Sequence, residues 1–335
     1  MNSRRPMAAL AAIASYLPER ELTNEELASL APKWTAQSIF DKTGIHTRHV
    51  AAADECASDL GVEAAQRLFK SGACNTSEID YVLFCTQSPD YFLPATACLV
   101  QQRLGLPTTT GAIDVNQGCS GFVYSLSLAK GLIESQSANN ILLITADTYS
   151  KHLHASDIST RVLFGDGASA ALITAVQSDD DLIGPFAFGS DGAGAGNLIV
   201  KYGGMRCRAM VETGPGDRSG CLYMNGPEIF NFTLNRVPSL VSTLLKKSSR
   251  DSAEIDYFVF HQANRFMLDH LRQKLQIPVE RFCINMDGYG NTVSSTIPMA
   301  LELAMRRSEI RAGDLVMLVG FGVGYSWAGT LVRII

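Results

Sequence analysis

The sequence contains no CxxC pair, no HExxH helix motif and no carboxylates clustered at ligand spacing, so it offers no support for a metal site. It also lacks any apolar run approaching the ~20 residues that a membrane-spanning helix requires. Positive charge is scarce: 28 Lys and Arg face 33 Asp and Glu, a net charge of -5. Nonspecific nucleic-acid binding is thereby excluded, because it needs a basic surface to displace phosphate counterions. Any acidic partner must dock on a local patch. Charged residues make up 18% of the chain against 46% hydrophobic, a balance that excludes disorder. The eight cysteines have no paired spacing and mostly sit among apolar neighbours, as buried free thiols do in a reducing cytoplasm. Arg4 and Arg5 precede an apolar stretch from Met7 to Ala14, but no cleavage site follows before Tyr16 and Pro18, so the stretch reads as a first β-strand.

The chain carries a hidden repeat. EIDYVLFCTQS from Glu78 to Ser88 resembles EIDYFVFHQAN from Glu254 to Asn264, an offset of 176 residues. Following both copies forward, Leu104 to Pro107 corresponds to Leu275 to Pro278, Ile113 to Val115 to Cys283 to Asn285, and Ile141 to Thr145 to Leu315 to Val319. Each copy reads strand, helix, strand, helix, strand. The first helices are expected over Ala95 to Leu104 and Arg265 to Leu275. The strands are short and continuously apolar, the pattern of parallel strands covered on both faces. Two similar α/β halves are expected, residues 1–175 and 176–335.

This register gives three polar residues a shared position. Cys119 follows the second strand of the first copy, Asn291 follows its counterpart, and His261 ends the repeated strand where the first copy has Cys85. Carboxyl ends of parallel strands are where α/β sheets place ligands. Cys119, flanked by Gly118 and Gly121, opens a helix-like stretch from Phe122 to Ile133, and the positive end of a helix favours thiolate. Taken singly, each residue has a plainer reading: a buried core thiol, a satisfied strand-end histidine, and an asparagine N-cap. Together they meet one chemical need, in which an imidazole handles a nearby charge and an amide N–H donates to an oxyanion. The glycines of GFGVGYSWAG, Gly320 to Gly329, let backbone approach a substrate and supply a second N–H donor. The segments Gly192 to Gly196 and Gly214 to Gly220 lack a strand-loop-helix setting and read as ordinary loops.

These motifs, in order, resemble the β-ketoacyl-acyl-carrier-protein synthase III family over nearly the whole chain: DKTGIHTRH (Asp41 to His49), the Cys119 segment, LFGDGASAA (Leu163 to Ala171), HQAN, GNTVSST and GFGVGYSW. The resemblance implies a thiolase-like α/β fold in five layers, α/β/α/β/α, built from two duplicated halves and assembled as a homodimer. It implies Cys119, His261 and Asn291 as the catalytic set, with the N–H groups of Cys119 and Val323 facing an oxyanion. Phe321 would lie beside the active site, and Leu93 would border the acyl pocket of the partner subunit. The implied reaction is a decarboxylative Claisen condensation: an acyl-CoA or acyl-carrier primer acylates Cys119, and a malonyl group on acyl carrier protein attacks it. No permanently bound cofactor is implied; coenzyme A or phosphopantetheine serves as the substrate's carrier.

The chain also departs from the family. Ser38 and Ile158 stand where the family sets tryptophan and arginine around the coenzyme A adenine, with Trp34 and Arg161 close by. Gly118 replaces the usual alanine and Val323 a common glycine. A specialised paralogue is therefore expected in place of the housekeeping fatty-acid initiator. Arg265, Arg272 and Lys274, on the helix after HQAN, form a candidate docking patch for an acidic carrier protein. Three other readings stay open on the residues alone: transfer of the Cys119-bound acyl group to an alcohol or amine, a Cys-His-Asn protease, and a non-catalytic carrier-binding subunit.

Overall fold

The computed structural model describes residues 5–208, 218 and 220–335; Arg4 and most of Gly214 to Gly220 lie outside the described residues. Strand β1 (Pro6–Tyr16) is followed by an excursion of β2 (Arg20–Thr23), α1 (Asn24–Ser29), α2 (Ala36–Thr43) and β3 (Thr47–Val50). Then come α3 (Ala57–Lys70), β4 (Tyr81–Cys85), α4 (Thr96–Arg103), β5 (Gly111–Val115), α5 (Gly121–Glu134), β6 (Asn140–Asp147), α6 (Ile158–Arg161) and β7 (Gly167–Gln177). The chain continues through β8 (Ile183–Ser190), β9 (Leu198–Val200), β10 (Leu222–Met224), α7 (Gly226–Ser248), β11 (Tyr257–Phe260), α8 (Arg265–Lys274), α9 (Thr296–Arg306), β12 (Leu315–Gly322) and β13 (Ser326–Arg333). No helix among the described residues is long and apolar enough to cross a membrane.

The repeated EIDY segment does the same work twice. Glu78 and Glu254 accept the backbone N–H of Asn75 and Asp251, closing a short turn before each strand. Ile79 and Ile255 are buried. Asp80 accepts the N–H of Asn140 and Asp256 that of Leu315, fastening the start of the neighbouring parallel strand. The sheets repeat accordingly, in order β1-β7-β6-β4-β5 and β8-β13-β12-β11, with matching strand directions.

Alternation along the strands assembles the layers. Val82 and Phe84 pack with Leu60 and Leu68 of α3 and Val100 of α4, while Leu83 faces the other way, toward Phe122 and Leu126 of α5. In the second sheet, Val316 and Leu318 face Ile297 and Leu301 of α9, while Met317 and Val319 face Leu240 of α7 and Leu268 of α8. The order of layers is α3/α4, first sheet, α5/α9, second sheet, α7/α8: the thiolase-like α/β/α/β/α arrangement.

One expected strand is missing. Cys283 to Asn285 forms no strand; the second copy keeps a single bridge there, Phe258 to Phe282. The side chain of Gln262 takes the place of a paired backbone. Its Nε2 donates to the carbonyls of Phe260 and Cys283, and its Oε1 accepts the N–H of Asn285. The candidate docking residues Arg265, Arg272 and Lys274 are likewise engaged within the chain. Arg272 pairs with Asp269 and donates to the Ile277 carbonyl, Lys274 donates to the Leu234 carbonyl, and Arg265 lies over the Phe40 ring.

Candidate active site

Cys119, His261, Asn291 and Phe321 line one cavity of about 330 Å³, bounded also by Leu163, Phe164, Leu198, Ile229 and Phe230. Residues 142 and 172 positions beyond Cys119 are thus brought to one place by the duplicated fold. Val323 lies beside Cys119, its backbone hydrogen-bonding the Cys119 thiol. Leu93 is in no contact with this cavity in its own chain. It sits on a projecting loop with Tyr91 and Phe92, 79% exposed like Phe92. Arg265 directly follows the lining residue Asn264, whereas Arg272 and Lys274 lie further along α8, away from the cavity lining.

Cys119 precedes Ser120, the N-cap of α5, and is 6% exposed. Two effects oppose each other there. The helix start favours thiolate, but burial, with the Asp147 carboxylate second, pushes the thiol up to about 12 against hydrogen bonds from backbone groups of Val323 and Cys119. At rest the thiol keeps its proton. The backbone of β12 closes on it: a Cβ on Gly322 would lie 2.9 Å from the Cys119 Sγ, so only glycine lets the strand end come this near.

His261 is buried, and burial pushes its imidazole down to about 3, leaving it neutral. Its Nδ1 is 2.7 Å from the Thr296 hydroxyl, which is also 3.0 Å from the Val293 carbonyl. That hydroxyl has one proton for two acceptors. When it donates to Val293, it accepts Nδ1–H and leaves Nε2 of His261 as a lone-pair base; when it donates to Nδ1, Nε2 carries the proton and becomes a donor. Asn291 is fixed from its other end. Its Oδ1 accepts the Val293 N–H at 2.9 Å, its backbone N–H donates to Leu163 and its carbonyl accepts from Gly165, leaving Nδ2 as the end free to donate.

Val293 holds both arrangements together and does so at φ 55°, a left-handed conformation that is costly for a β-branched residue. Beneath the same loop, buried Asp147 accepts from the Ser294 hydroxyl and N–H, the Gln87 N–H and the Thr86 hydroxyl. Burial pushes this carboxyl up to about 7. Arg48, fully buried, donates to the carbonyls of Leu22 and Val162 and to Asn24 Oδ1, and its Cβ packs under Gly165 and Gly290. The DKTGIHTRH motif therefore props the Asn291 loop from below. Thr296, Asp147 and Arg48 escape sequence reading as site residues. The one available signal was an acid closing the otherwise apolar strand NILLITAD.

Ser38 and Ile158 are both committed to the fold. Ser38 completes a capping box with Thr35, and Ile158 is buried with Leu22, Ile39 and Val162. Trp34 carries Lys42 over its ring, and Arg161 donates to the Ala155 carbonyl.

Solved structures share this architecture over the full chain. A 3-oxoacyl-(acyl-carrier-protein) synthase III at 2.1 Å resolution is 52% identical with a TM-score of 0.96, covering 98% of this chain and 100% of that one. A 3-oxoacyl-(acyl-carrier protein) synthase from Burkholderia xenovorans is 37% identical with a TM-score of 0.89, covering 100% and 97%. The fold and its likenesses define a thiolase-type acyltransferase. The descriptions "3-Oxoacyl-[acyl-carrier-protein (ACP)] synthase III" and its "C terminal" part match residues 113–192 and 245–334. Beta-ketoacyl-[acyl-carrier-protein] synthase III 2 of Halalkalibacterium halodurans is 38% identical over 329 residues, 97% of this chain and 96% of that protein. The chain belongs to the 3-oxoacyl-[acyl-carrier-protein] synthase III family.

Proposed function

We propose that the chain catalyses decarboxylative Claisen condensation of an acyl thioester primer, held on Cys119, with a malonyl group on acyl carrier protein, in fatty-acid or specialised lipid or polyketide biosynthesis. The observation that carries this reading is the single cavity shared by Cys119, His261, Asn291 and Phe321. In the first half-reaction the neutral His261 Nε2 takes the thiol proton, Thr296 accepting Nδ1–H. The sulfur bonds to the primer's carbonyl carbon, and the bond to the coenzyme A or phosphopantetheine sulfur breaks, that thiol leaving with the proton. The N–H groups of Cys119 and Val323 face the oxyanion.

In the second half-reaction a malonyl thioester enters. His261, now with its proton on Nε2, and Asn291 Nδ2 donate to its thioester oxygen. The bond to the carboxylate breaks, carbon dioxide leaves, and the electron pair becomes an enolate whose carbon attacks the Cys119 acyl group. Cys119 leaves as thiolate and recovers a proton. In this reading residues 1–175 supply the nucleophile and 176–335 the histidine and asparagine, the working form is a homodimer in which Leu93 borders the partner's acyl pocket, and the setting is a reducing cytoplasm in which all eight cysteines stay free. No cofactor is held permanently. Arg265, next in sequence to the cavity-lining Asn264, is the carrier-protein contact of its helix nearest the cavity; Arg272 and Lys274 would join only by releasing their internal partners.

Incubation with labelled malonyl carrier protein and a competent primer tests the reaction. Release of one carbon dioxide per 3-oxoacyl product supports condensation. Product formation on an added alcohol or amine without decarboxylation would overturn it in favour of simple acyl transfer.

A further inference from the structure

A second cavity, about 230 Å³, shares the wall residue Leu198 with the cavity that holds His261 and is lined also by Val323, whose backbone hydrogen-bonds Cys119. Its walls are partly apolar, from Leu198, Ile199, Val200, Leu222 and Val323, but Gln87, Asn116, Tyr149 and His152 also face it. An alkyl tail needs none of these polar groups, and sealing it against them removes their water without replacing it. The Tyr149 hydroxyl is buried and has only a long contact, 3.5 Å, to Gln87 Oε1. His152 is mostly buried and packs edge-on against Tyr149 at 5.5 Å, its ring bonded to the Gln87 carbonyl. Burial lowers that ring's affinity for a proton, and no Lys or Arg lines the cavity.

The backbone next to the nucleophile is shaped around this amide. A Cβ on residue 118 would lie 2.5 Å from Gln87 Oε1 and 2.6 Å from Val323 Cγ1. Gly118 and Val323, two departures from the family pattern, thus belong to one packing arrangement with Gln87. The bare glycine lets the carboxamide and the valine lie together beside Cys119.

We propose that this cavity seats the primer's tail, and that the primer selected is a short acyl thioester bearing a neutral oxygen function, hydroxyl or carbonyl, which hydrogen-bonds the Gln87 carboxamide. This rests on the reading of Cys119 as the acylated residue. Whichever way the amide is turned it offers both a donor and an acceptor, so it serves a hydroxyl or a carbonyl alike. A carboxylate tail is disfavoured, because no positive charge meets it.

The test compares butyryl-pantetheine with 3-hydroxybutyryl-pantetheine, matched in length and free of the question of carrier, by the rate at which each adds to Cys119 in intact-mass measurements. Wild type is expected to acylate roughly tenfold faster with the hydroxylated primer, the factor that one net hydrogen bond of about 1.4 kcal/mol supplies. In Gln87→Leu the ratio is expected to fall to about one or below. Because both primers are compared on the same preparation, partial misfolding of the variant cancels from the ratio. Equal or faster acylation by butyryl in wild type, or an unchanged ratio in Gln87→Leu, overturns the inference and leaves the proposed function standing. Absence of any adduct on Cys119 from either primer overturns the proposed function itself.

Discussion

Replacing Thr296 by valine keeps the volume of the side chain and removes its hydroxyl. In the wild type that hydroxyl is shared between His261 Nδ1 at 2.7 Å and the Val293 carbonyl at 3.0 Å. Both groups are deeply buried, so after substitution no water compensates them. Leaving a buried polar group without its partner costs about 1–3 kcal/mol. Part of that cost falls on the whole fold and part on the orientation of the imidazole. If the orienting part alone is about 1.4–2.7 kcal/mol, kcat falls roughly 10- to 100-fold, at 1.36 kcal/mol per factor of ten. Because the hydroxyl decides which nitrogen carries the proton, acylation and decarboxylation are both expected to slow, while KM for either substrate stays within about twofold. The assay is single-turnover acylation of Cys119 by intact mass, followed by carbon dioxide release from malonyl carrier protein. Thr296→Ser, which restores the hydroxyl, is expected to recover most of the rate. A Thr296→Val enzyme with kcat within twofold of wild type would refute the shared-hydroxyl argument, as would Thr296→Ser behaving like Thr296→Val.

Cys119→Ala is expected to give no acyl adduct with any thioester while keeping its fold by circular dichroism; an adduct persisting in that variant would place the nucleophile elsewhere. Since burial pushes the Cys119 thiol up to about 12, its alkylation by iodoacetamide is expected to keep accelerating about tenfold per pH unit past pH 9, where an ordinary thiol of pKa ~8.5 levels off; a plateau below pH 8 would show that the helix start wins over burial. For stability, the Cys119 thiol binds its proton more tightly folded than unfolded, so its contribution is complete below the ordinary thiol pKa and is lost as pH rises toward 12; Cys119→Ala is expected to flatten this alkaline limb in urea titrations. His261 behaves in the opposite sense: its folded value of about 3 makes stability fall as pH drops from about 6.5 toward 3, and a His261→Gln variant is expected to lose less stability than wild type over that interval. Val293→Gly relieves the φ 55° strain and is expected to leave the melting temperature within a few degrees of wild type while lowering kcat several-fold, because a freer residue 293 holds Asn291 and Thr296 less firmly; unchanged kcat would separate the strain from the chemistry.

The layered fold was legible because EIDY is a local device. A capping glutamate, a buried isoleucine and an aspartate that fastens the adjacent strand act within a few residues, so their repetition is visible in the sequence. The convergence of Cys119, His261 and Asn291 followed from the register of that repeat. What stayed hidden depends on contacts across the chain. Asp147 reaches Ser294 over 147 residues, and nothing near either position announces the pair. Gln262 takes over from a backbone ladder, which turned an expected strand at Cys283 to Asn285 into a loop, since apolar sequence alone does not reveal who supplies its hydrogen bonds. Lys274 looked like part of a surface patch because a lysine's solvated and carbonyl-bound states share one sequence signature.

Gln262 has a further effect at the level of assembly. By satisfying Cys283 and Asn285 with a side chain, it leaves the second sheet without a full-length strand at that margin, and so without a row of free N–H and C=O groups to recruit another chain. The first sheet ends instead on β5, five residues long, with Ile113 exposed. Duplication thus produced two sheets of like topology whose corresponding margins differ, the β5 edge receptive and the β11 edge closed.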